Sequence, residues 1–400
     1  MPSSRDTEPP MRLLHVVPTY LPATRYGGPI HSVHGLCAAL AARGHDVHVF
    51  TTNVDGPGDS AVPLDRSVEL DGVNVRYFPS RRLRRLYWSP PMARALRSEV
   101  GGFDLVHLHS VFLWPTWAAA RAARQEGVPY VISPRGMLVK SLFRQRSRHL
   151  KSAWMALIER ANLEHAAGVH VTSSIEAAAV GEFGYRLRGP VFVVPNGVAL
   201  AAPMPGPDAP SPYVLMLGRI SWKKRIEVAI DALQLLDGVR LLVAGGDDEG
   251  LVPSLRERAA VLGVGERVVF VGTVDGEQKR RLLAEALVLL MPSLSENFGN
   301  SALEAMAEGT PAIVAPEVGV AEIIVEHSSG LVVPSEAPAI ADAVRRLQRD
   351  PGLRAAMGER GRAAVAARFS WPAVAGRMEN AYRQVADPAR KHSLILPSDA

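Results

Sequence analysis
Short apolar runs, rich in β-branched residues, alternate with helix-patterned stretches, and the alternation occurs twice along the chain. In the first half the runs lie at 12–17, 47–51, 105–108, 130–132, 169–171 and 191–194, with a first helix at 30–43 stopped by Gly44. The segment PNGVALAAPMPGPDAPSP then begins at Pro195 and carries six prolines, too many for regular structure. After it the alternation restarts, with strands at 214–217, 240–243, 268–271, 287–290 and 312–315 and helices at 226–236, 252–262, 277–286 and 301–307. A strand that is apolar throughout, rather than at every second residue, is covered on both faces. Such strands alternating with helices predict α/β domains built on doubly wound parallel sheets. The expected organisation is a disordered tail at 1–11, a first domain at 12–195, a linker at 196–212 and a second domain at 213–370. A helix at 371–386 is expected to pack back on the first domain, followed by a polar tail at 387–400.

A chain of 400 residues, 47% hydrophobic and 21% charged, fits two domains with cores of their own. The composition excludes a disordered chain, a coiled coil and a collagen-like fibre. A single cysteine, Cys37, excludes an intramolecular disulfide and a thiolate metal cluster, and suggests a reducing compartment. The start lacks the apolar core of a signal peptide, and no uncharged apolar stretch is long enough to span a bilayer. A cytoplasmic location is expected.

The net charge of +5 is unevenly spread. Between Asp71 and Glu99 there is no acid, but Arg76, Arg81, Arg82, Arg84, Arg85, Arg94 and Arg97 fall there. Between Glu126 and Glu159 the pattern recurs with Arg135, Lys140, Arg144, Arg146, Arg148 and Lys151. Leu83, Leu86, Tyr87 and Trp88 interleave with the first set. That pattern suits either an interfacial anchor on an anionic membrane or a solvated basic face. No nucleic-acid-binding module is present.

In open parallel sheets ligands bind beyond the strand C-termini, so chemistry is sought just after strands. Gly27 and Gly28 follow the first strand and precede the first helix, where backbone could approach a phosphate or sugar; a flexible turn is the plain alternative. The pattern G-x-G-x-x-G is absent there, which counts against a nicotinamide enzyme. In Val106-His107-Leu108-His109, alternation points both histidines the same way, and two histidines with no third ligand nearby make a poor zinc site. After the first strand of the second domain comes Gly218-Arg219-Ile220-Ser221-Trp222-Lys223-Lys224. Here Arg219 could fork to phosphate oxygens and Lys224 add a point charge, while Lys223 reads as solvated. After 287–290 comes a polar loop with Glu296, Asn297, Phe298, Gly299 and Asn300, then Ser301 to Glu304. The last four residues match an S-x-x-E capping box, which alone would explain Glu304 but not Glu296 or the loop. Asp247, Asp248 and Glu249 read as a surface or ribose-facing loop rather than a metal site, and no D-x-D spacing occurs.

Taken in order, these motifs resemble glycosyltransferase family 4, over roughly residues 12–385. The most specific element is E-x₇-E, Glu296 to Glu304, in SENFGNSALEAMAEGTPAIV, supported by the Gly-Gly loop, VHLH, SPRGML, VPNGV, the Arg219/Lys224 pair and the terminal FSW helix. The resemblance implies the GT-B fold, with two facing Rossmann-like domains and a cleft between them. It implies a retaining, metal-independent, hexosyltransferase-type enzyme that moves a sugar from a nucleotide diphosphate sugar to a hydroxyl of a glycan, a lipid-linked sugar or a small molecule, as in polysaccharide biosynthesis. No cofactor is implied. Arg219 and Lys224 would bind the donor diphosphate, Glu304 the ribose, and Glu296 with Asn297, Phe298, Gly299 and Asn300 the donor sugar and phosphate. Gly27 and Gly28 would line the first-domain side, His109 would lie near the donor sugar, and Arg135 would lie on the acceptor side. A nucleotide-sugar epimerase sharing the fold and donor site is the alternative. Two positions depart from the family: Ala199 where Asp is frequent after the Asn-Gly-Val hinge, and Arg225 where Gly is frequent after the lysine pair.

Overall fold
The computed structural model describes residues 9–23, 27–138, 154, 158–202, 204 and 212–386. Tyr26 lies outside these, as do Lys140, Arg144, Arg146, Arg148 and Lys151 of the second basic stretch and the tail at 387–400. The chain forms two compact units. One comprises the chain up to Pro195 together with the segment from Trp371, and the other runs from Asn196 to Ser370.

The first unit is built on eight strands: β1 (Arg12–Val16), β2 (Asp46–Thr52), β5 (Val68–Leu70), β6 (Val73–Phe78), β7 (Leu105–His109), β8 (Tyr130–Ser133), β9 (Gly168–Val171) and β10 (Val191–Val193). The two-residue strands β3 (Val54–Asp55) and β4 (Gly58–Asp59) form a separate hairpin. The sheet order is β10-β9-β8-β7-β1-β2-β6-β5, parallel except for β5 against β6. From β1 the chain first builds outward through β2 and β6, then returns to place β7 on the other side of β1. The order therefore reverses between β1 and β7, and a crevice opens there at the strand C-termini.

Helices α1 (Gly28–Ala42), α2 (Pro90–Glu99), α3 (Trp114–Glu126), α4 (Arg160–Glu164) and α5 (Ser174–Gly181) follow their strands. Ser89 caps α2 by accepting from the Met92 amide, and Ser173 caps α5 by accepting from Glu176. One face of the sheet packs Leu14, Val106, Leu108 and Ile132 with Leu96 and Ala119 of α2 and α3. The other packs Leu13, Val49 and Leu105 with Leu36 and Leu40 of α1 and with Val374, Met378 and Tyr382 from the C-terminal helix. Gly35 permits that closeness, since a Cβ there would stand 2.2 Å from the Trp371 ring.

The second unit holds β11 (Tyr213–Leu217), β12 (Arg240–Ala244), β13 (Val268–Gly272), β14 (Val288–Met291), β15 (Ala312–Val314) and β16 (Gly330–Val332) in the order β13-β12-β11-β14-β15-β16, all parallel. Its helices are α6 (Ile226–Gln234), α7 (Val252–Val261), α8 (Gly276–Glu285), α9 (Asn300–Glu308), α10 (Ala321–His327), α11 (Ala337–Arg349) and α12 (Pro351–Ala364). The order reverses between β11 and β14, which puts a second crevice at Leu217 and Met291. Beyond residue 315 the apolar-run reading leaves a blank, and the chain there forms β16 and α10 to α12. In α11 the buried set Ile340, Val344 and Leu347 has helical spacing. The C-terminal helix α13 (Trp371–Ala386) belongs to the first unit, where it packs on α1.

Candidate active site
In the second unit, the residues after β11 and β14 meet at the reversal point. Gly218 follows β11 at φ 136°, and Gly245 beside it lacks a Cβ that would fall 1.9 Å from the Gly218 carbonyl oxygen. The strand ends can thus approach each other, and the amide of Ile220 donates to Gly246 O at 2.8 Å. Arg219 is exposed at this edge. Residues Trp222–Lys224 form one 3₁₀ turn, which turns the Lys224 side chain back onto the strand ends. Lys224 Nζ donates to Glu296 Oε2 at 2.9 Å, both side chains being half-buried. A narrow pocket at this point is lined by Gly218, Arg219, Lys224, Met291 and Ser293. Ser293 is fully buried, and its hydroxyl has no partner among the described residues. A donor or acceptor buried without a partner costs about 1–3 kcal/mol, so this hydroxyl marks the pocket as a place for a polar ligand or water. Ser293 stands two residues after a buried strand, and nothing in the sequence around it marks its hydroxyl as buried.

The loop after β14 is fixed by its own backbone. Leu294 N donates to Lys223 O, Glu296 N to Glu317 O, and Gly319 N to Glu296 O. Phe298 is buried in the second core, so it anchors the loop, and only its backbone can face a ligand. Gly299, at φ 105°, is the N-cap of α9. This corrects the capping-box expectation: the helix starts one residue before Ser301, has no side-chain cap, and has no acid in its first turn. Glu304 is therefore not spent on capping. Its Oε1 accepts from Lys279 Nζ at 3.0 Å instead. Each carboxylate of the E-x₇-E motif thus carries a lysine, Lys224 on Glu296 and Lys279 on Glu304. Lys279 was missed because it lies on α8, outside any motif. Asn300 Oδ1 accepts from Asn196 Nδ2 at 2.8 Å, tying the loop to the start of the unit.

Two of the three adjacent acids do separate work. Asp247 accepts from the amides of Leu251 and Val252 at the start of α7, and Glu249 accepts from Trp222 N, bracing the turn that carries Lys224. Arg225, at a position where the family often has Gly, adopts φ 56° and pairs with Glu227. Glycine takes that conformation without strain, which accounts for the family preference.

In the first unit, Gly27 at φ 72° caps α1 and Gly28 begins it, with no acid in the first turn. His109 ends β7 at the reversal point and is fully buried. The expectation that no third histidine stands near His107 and His109 is corrected. His15 on β1 is in register with His107, and ligand atoms of His15, His107 and His109 all lie within 4.8 Å of one another. Alternation along 12–16 could have found it. Apart from His15 Nε2, these ring nitrogens are already committed to a hydrogen-bond network. His15 Nδ1 and His109 Nε2 are 3.0 Å apart, His107 Nδ1 meets the Tyr382 hydroxyl at 2.6 Å, and His107 Nε2 meets Ser133 Oγ at 2.6 Å. Ser133 Oγ in turn meets His170 Nδ1, and His170 Nε2 donates to Val194 O. A cation at the cluster would have to break these bonds.

Arg135 was expected on the acceptor side. It lies inside this network, mostly buried, with Nη2 donating to His109 Nδ1 at 3.2 Å. Burial, then the Arg135 charge, pushes the His15 and His170 rings down to about 3. Burial, with Arg135 and the neighbouring rings, also drives His107 and His109 well below the usual range. The loop after His109 holds two non-glycine residues at positive φ, Ser110 and Phe112, and the buried Glu159 accepts from Phe112 N at 2.6 Å.

Of the basic stretch, Arg76 pairs with Glu99, and Arg84 is tied to Asp59 and to the carbonyl of Ser80. Arg81, Arg82, Arg85, Arg94 and Arg97 are exposed. Leu83 is exposed, Tyr87 is half-buried, and Leu86 and Trp88 pack against the first core.

Known proteins share the sequence pattern and the fold. Residues 204–364 match the family of group 1 glycosyl transferases, and residues 27–197 match the glycosyl transferase 4-like domain. A D-inositol 3-phosphate glycosyltransferase of Xylanimonas cellulosilytica is 30% identical, covering 98% of this chain and all of its own. Sucrose-phosphate synthase from Thermosynechococcus elongatus superposes with a TM-score of 0.74 at 27% identity, covering 94% of this chain and 99% of its own. Anabaena HepE, solved with UDP-glucose, superposes with a TM-score of 0.72 at 19% identity, covering 94% of this chain and all of its own, and so shares the fold. None of these is named an epimerase. With both halves matched in chain order and E-x₇-E at the reversal point of the second sheet, the chain belongs to glycosyltransferase family 4 and has the GT-B fold.

Proposed function
We propose that this glycosyltransferase takes its sugar from a nucleotide diphosphate sugar and transfers it with retention, without a metal ion. The observation that carries the reading is the meeting of Arg219 and Lys224 with Glu296 at the second sheet's reversal point, with Lys224 Nζ 2.9 Å from Glu296 Oε2. As the bond from C1 to the diphosphate oxygen breaks, negative charge grows on the diphosphate. The cations of Arg219 and Lys224 and the uncapped start of α9 stabilise charge there, and pre-organised charge is usually the largest catalytic contribution. The acceptor oxygen bonds to C1 on the same face, and its proton passes to the departing phosphate oxygen. Once a phosphate draws Lys224 away, Glu296 becomes free to accept from sugar hydroxyls. One oxygen of Glu304 is held by Lys279 and the other is open to the ribose. A UDP donor is supported by the ligand of Anabaena HepE. The name of the Xylanimonas relative favours a phosphorylated acceptor, which suits the arginine-rich first unit.

Thermal shift with UDP, GDP and ADP identifies the base, since a ligand at about 100 times its dissociation constant adds about 2.7 kcal/mol. With the matching donor, turnover is expected to survive EDTA and to fall by about 10²–10³ in Arg219→Ala. Activity that disappears in EDTA and returns with Mg²⁺ or Mn²⁺ moves the leaving-group role to a metal.

A further inference from the structure
We propose that Arg135 and His15 are positioning residues that hold His109 as a neutral imidazole with its proton on Nε2. The inference deepens the expectation that His109 lies near the donor sugar, and it rests on that expectation for its catalytic meaning.

The assignment follows from donor and acceptor chemistry. A guanidinium has only donors, so His109 Nδ1, 3.2 Å from Arg135 Nη2, must accept. The single proton of the neutral ring is then on Nε2, and it points to His15 Nδ1 at 3.0 Å. His15 accepts at Nδ1, so it carries its own proton on Nε2, which is buried without a partner among the described residues. Protonating His109 would put two N–H donors against each other across the Arg135 contact.

The surroundings offer no negative charge to offset such a proton. His15 (β1), His107 (β7) and His170 (β9) face His109 as neutral rings, and Arg135 is the charge beside them. Cys37 on α1 and Tyr382 on α13 are kept protonated by burial. The nearby carboxylate is Glu176 on α5. Its Oε1 accepts from Gly136 N at 2.7 Å, and its Oε2 from the amide and hydroxyl of Thr172. Glu176 thus fixes the turn that carries Arg135 and balances the guanidinium from behind.

The backbone is committed to the same end. Arg135 sits at φ 54° in the turn Pro134-Arg135-Gly136, a conformation that costs a non-glycine residue of order 1–3 kcal/mol. In that turn the guanidinium reaches His109 across the ends of β7 and β8. A solvent-facing basic residue would need no such turn.

The test labels the histidines of the whole chain with ¹⁵N and assigns the His109 signals with His109→Gln. The native protein is expected to show His109 with a protonated Nε2 and a bare Nδ1, unchanged from about pH 8 to about pH 5.5, below the ordinary histidine range. Arg135→Met is expected to give mixed tautomers and a ring that titrates closer to its ordinary value of about 6.5, and Arg135→Lys to restore the native tautomer through its own donor. A native His109 that carries its proton on Nδ1, or that titrates in this range, overturns the proposal; this measurement decides even where Arg135→Met does not fold. Adding UDP-glucose separates the two ideas. A shift of the His109 signals supports its place at the donor, while a locked tautomer that ignores saturating UDP-glucose leaves the lock standing and sinks the donor reading. With both in force, Arg135→Met turnover falls about tenfold on going one pH unit below the restored pKa, and native turnover does not.

Discussion

Glu304 shows what a single residue's neighbours can decide. From sequence it had two uses, as the fourth position of a capping box and as a ribose ligand. The cap turns out to be Gly299, so the carboxylate is left facing Lys279. Glu304→Gln is expected to weaken nucleotide binding by about 10- to 150-fold, because a hydrogen bond to a charged group contributes about 1.5–3 kcal/mol. Its melting temperature should stay near native. Lys279→Met removes a half-exposed ion pair worth about 0–1 kcal/mol, so its effect should be no more than several-fold. Titration of UDP into both variants, with melting curves beside it, checks the pair; a large fall in melting temperature with binding intact would return Glu304 to a structural role. Residues inside motifs were legible because strand ends at a sheet reversal gather ligand chemistry. Lys279 and His15 were not, because each acts through a partner far away in sequence, and one sequence carries no record of that pairing.

At the scale of elements, the strands were legible almost throughout, since strands buried on both faces leave continuous apolar runs. The hairpin β3–β4 and the strands β5, β6 and β16 were not read; β6 alternates buried and half-buried residues instead of running apolar throughout, and α10 to α12 were not read because their apolar residues are spread over turns. The C-terminal helix was expected to pack back on the first domain, and its partner there, α1, emerges only in three dimensions. Glu379 on α13 accepts from Arg43 at the end of α1 and from Arg383 on its own helix. Burial alone would raise this carboxyl, but the bonds from Arg383 and Arg43 outweigh it and hold it down to about 2. A depressed carboxyl stabilises the fold above its unfolded value and loses that contribution as pH falls. The window here runs from about 4.5 down to about 2, and the contribution is on the order of 3 kcal/mol. Glu379→Gln is therefore expected to melt well below native at neutral pH, and the gap should close as the pH falls through that window. Thermal melts of both proteins across acid pH measure it; a gap that stays constant would show that the ion pairs contribute nothing.

Across the whole molecule, the uneven charge was visible in sequence, but its use depends on which arginines are already occupied. Arg84 is held by Asp59 and Ser80, and Arg76 by Glu99. Arg81, Arg82 and Arg85 surround Leu83, which is 63% exposed, and form the basic surface. No described helix is long and apolar enough to cross a membrane, so any membrane contact through these residues is peripheral. Each basic side chain near an anionic surface contributes about 1 kcal/mol, so replacing Arg81, Arg82 and Arg85 together with Gln should weaken vesicle binding by about two orders of magnitude. Added salt should do the same to the native protein, because the attraction falls off within a Debye length. Arg84→Gln is the internal comparison. It should lower the melting temperature by freeing the β3–β4 hairpin, and it should change vesicle binding less than any of the three exposed sites. Sedimentation with phosphatidylserine vesicles at low and high salt distinguishes these outcomes. If the native protein fails to sediment at low salt, the arginines form a solvated face.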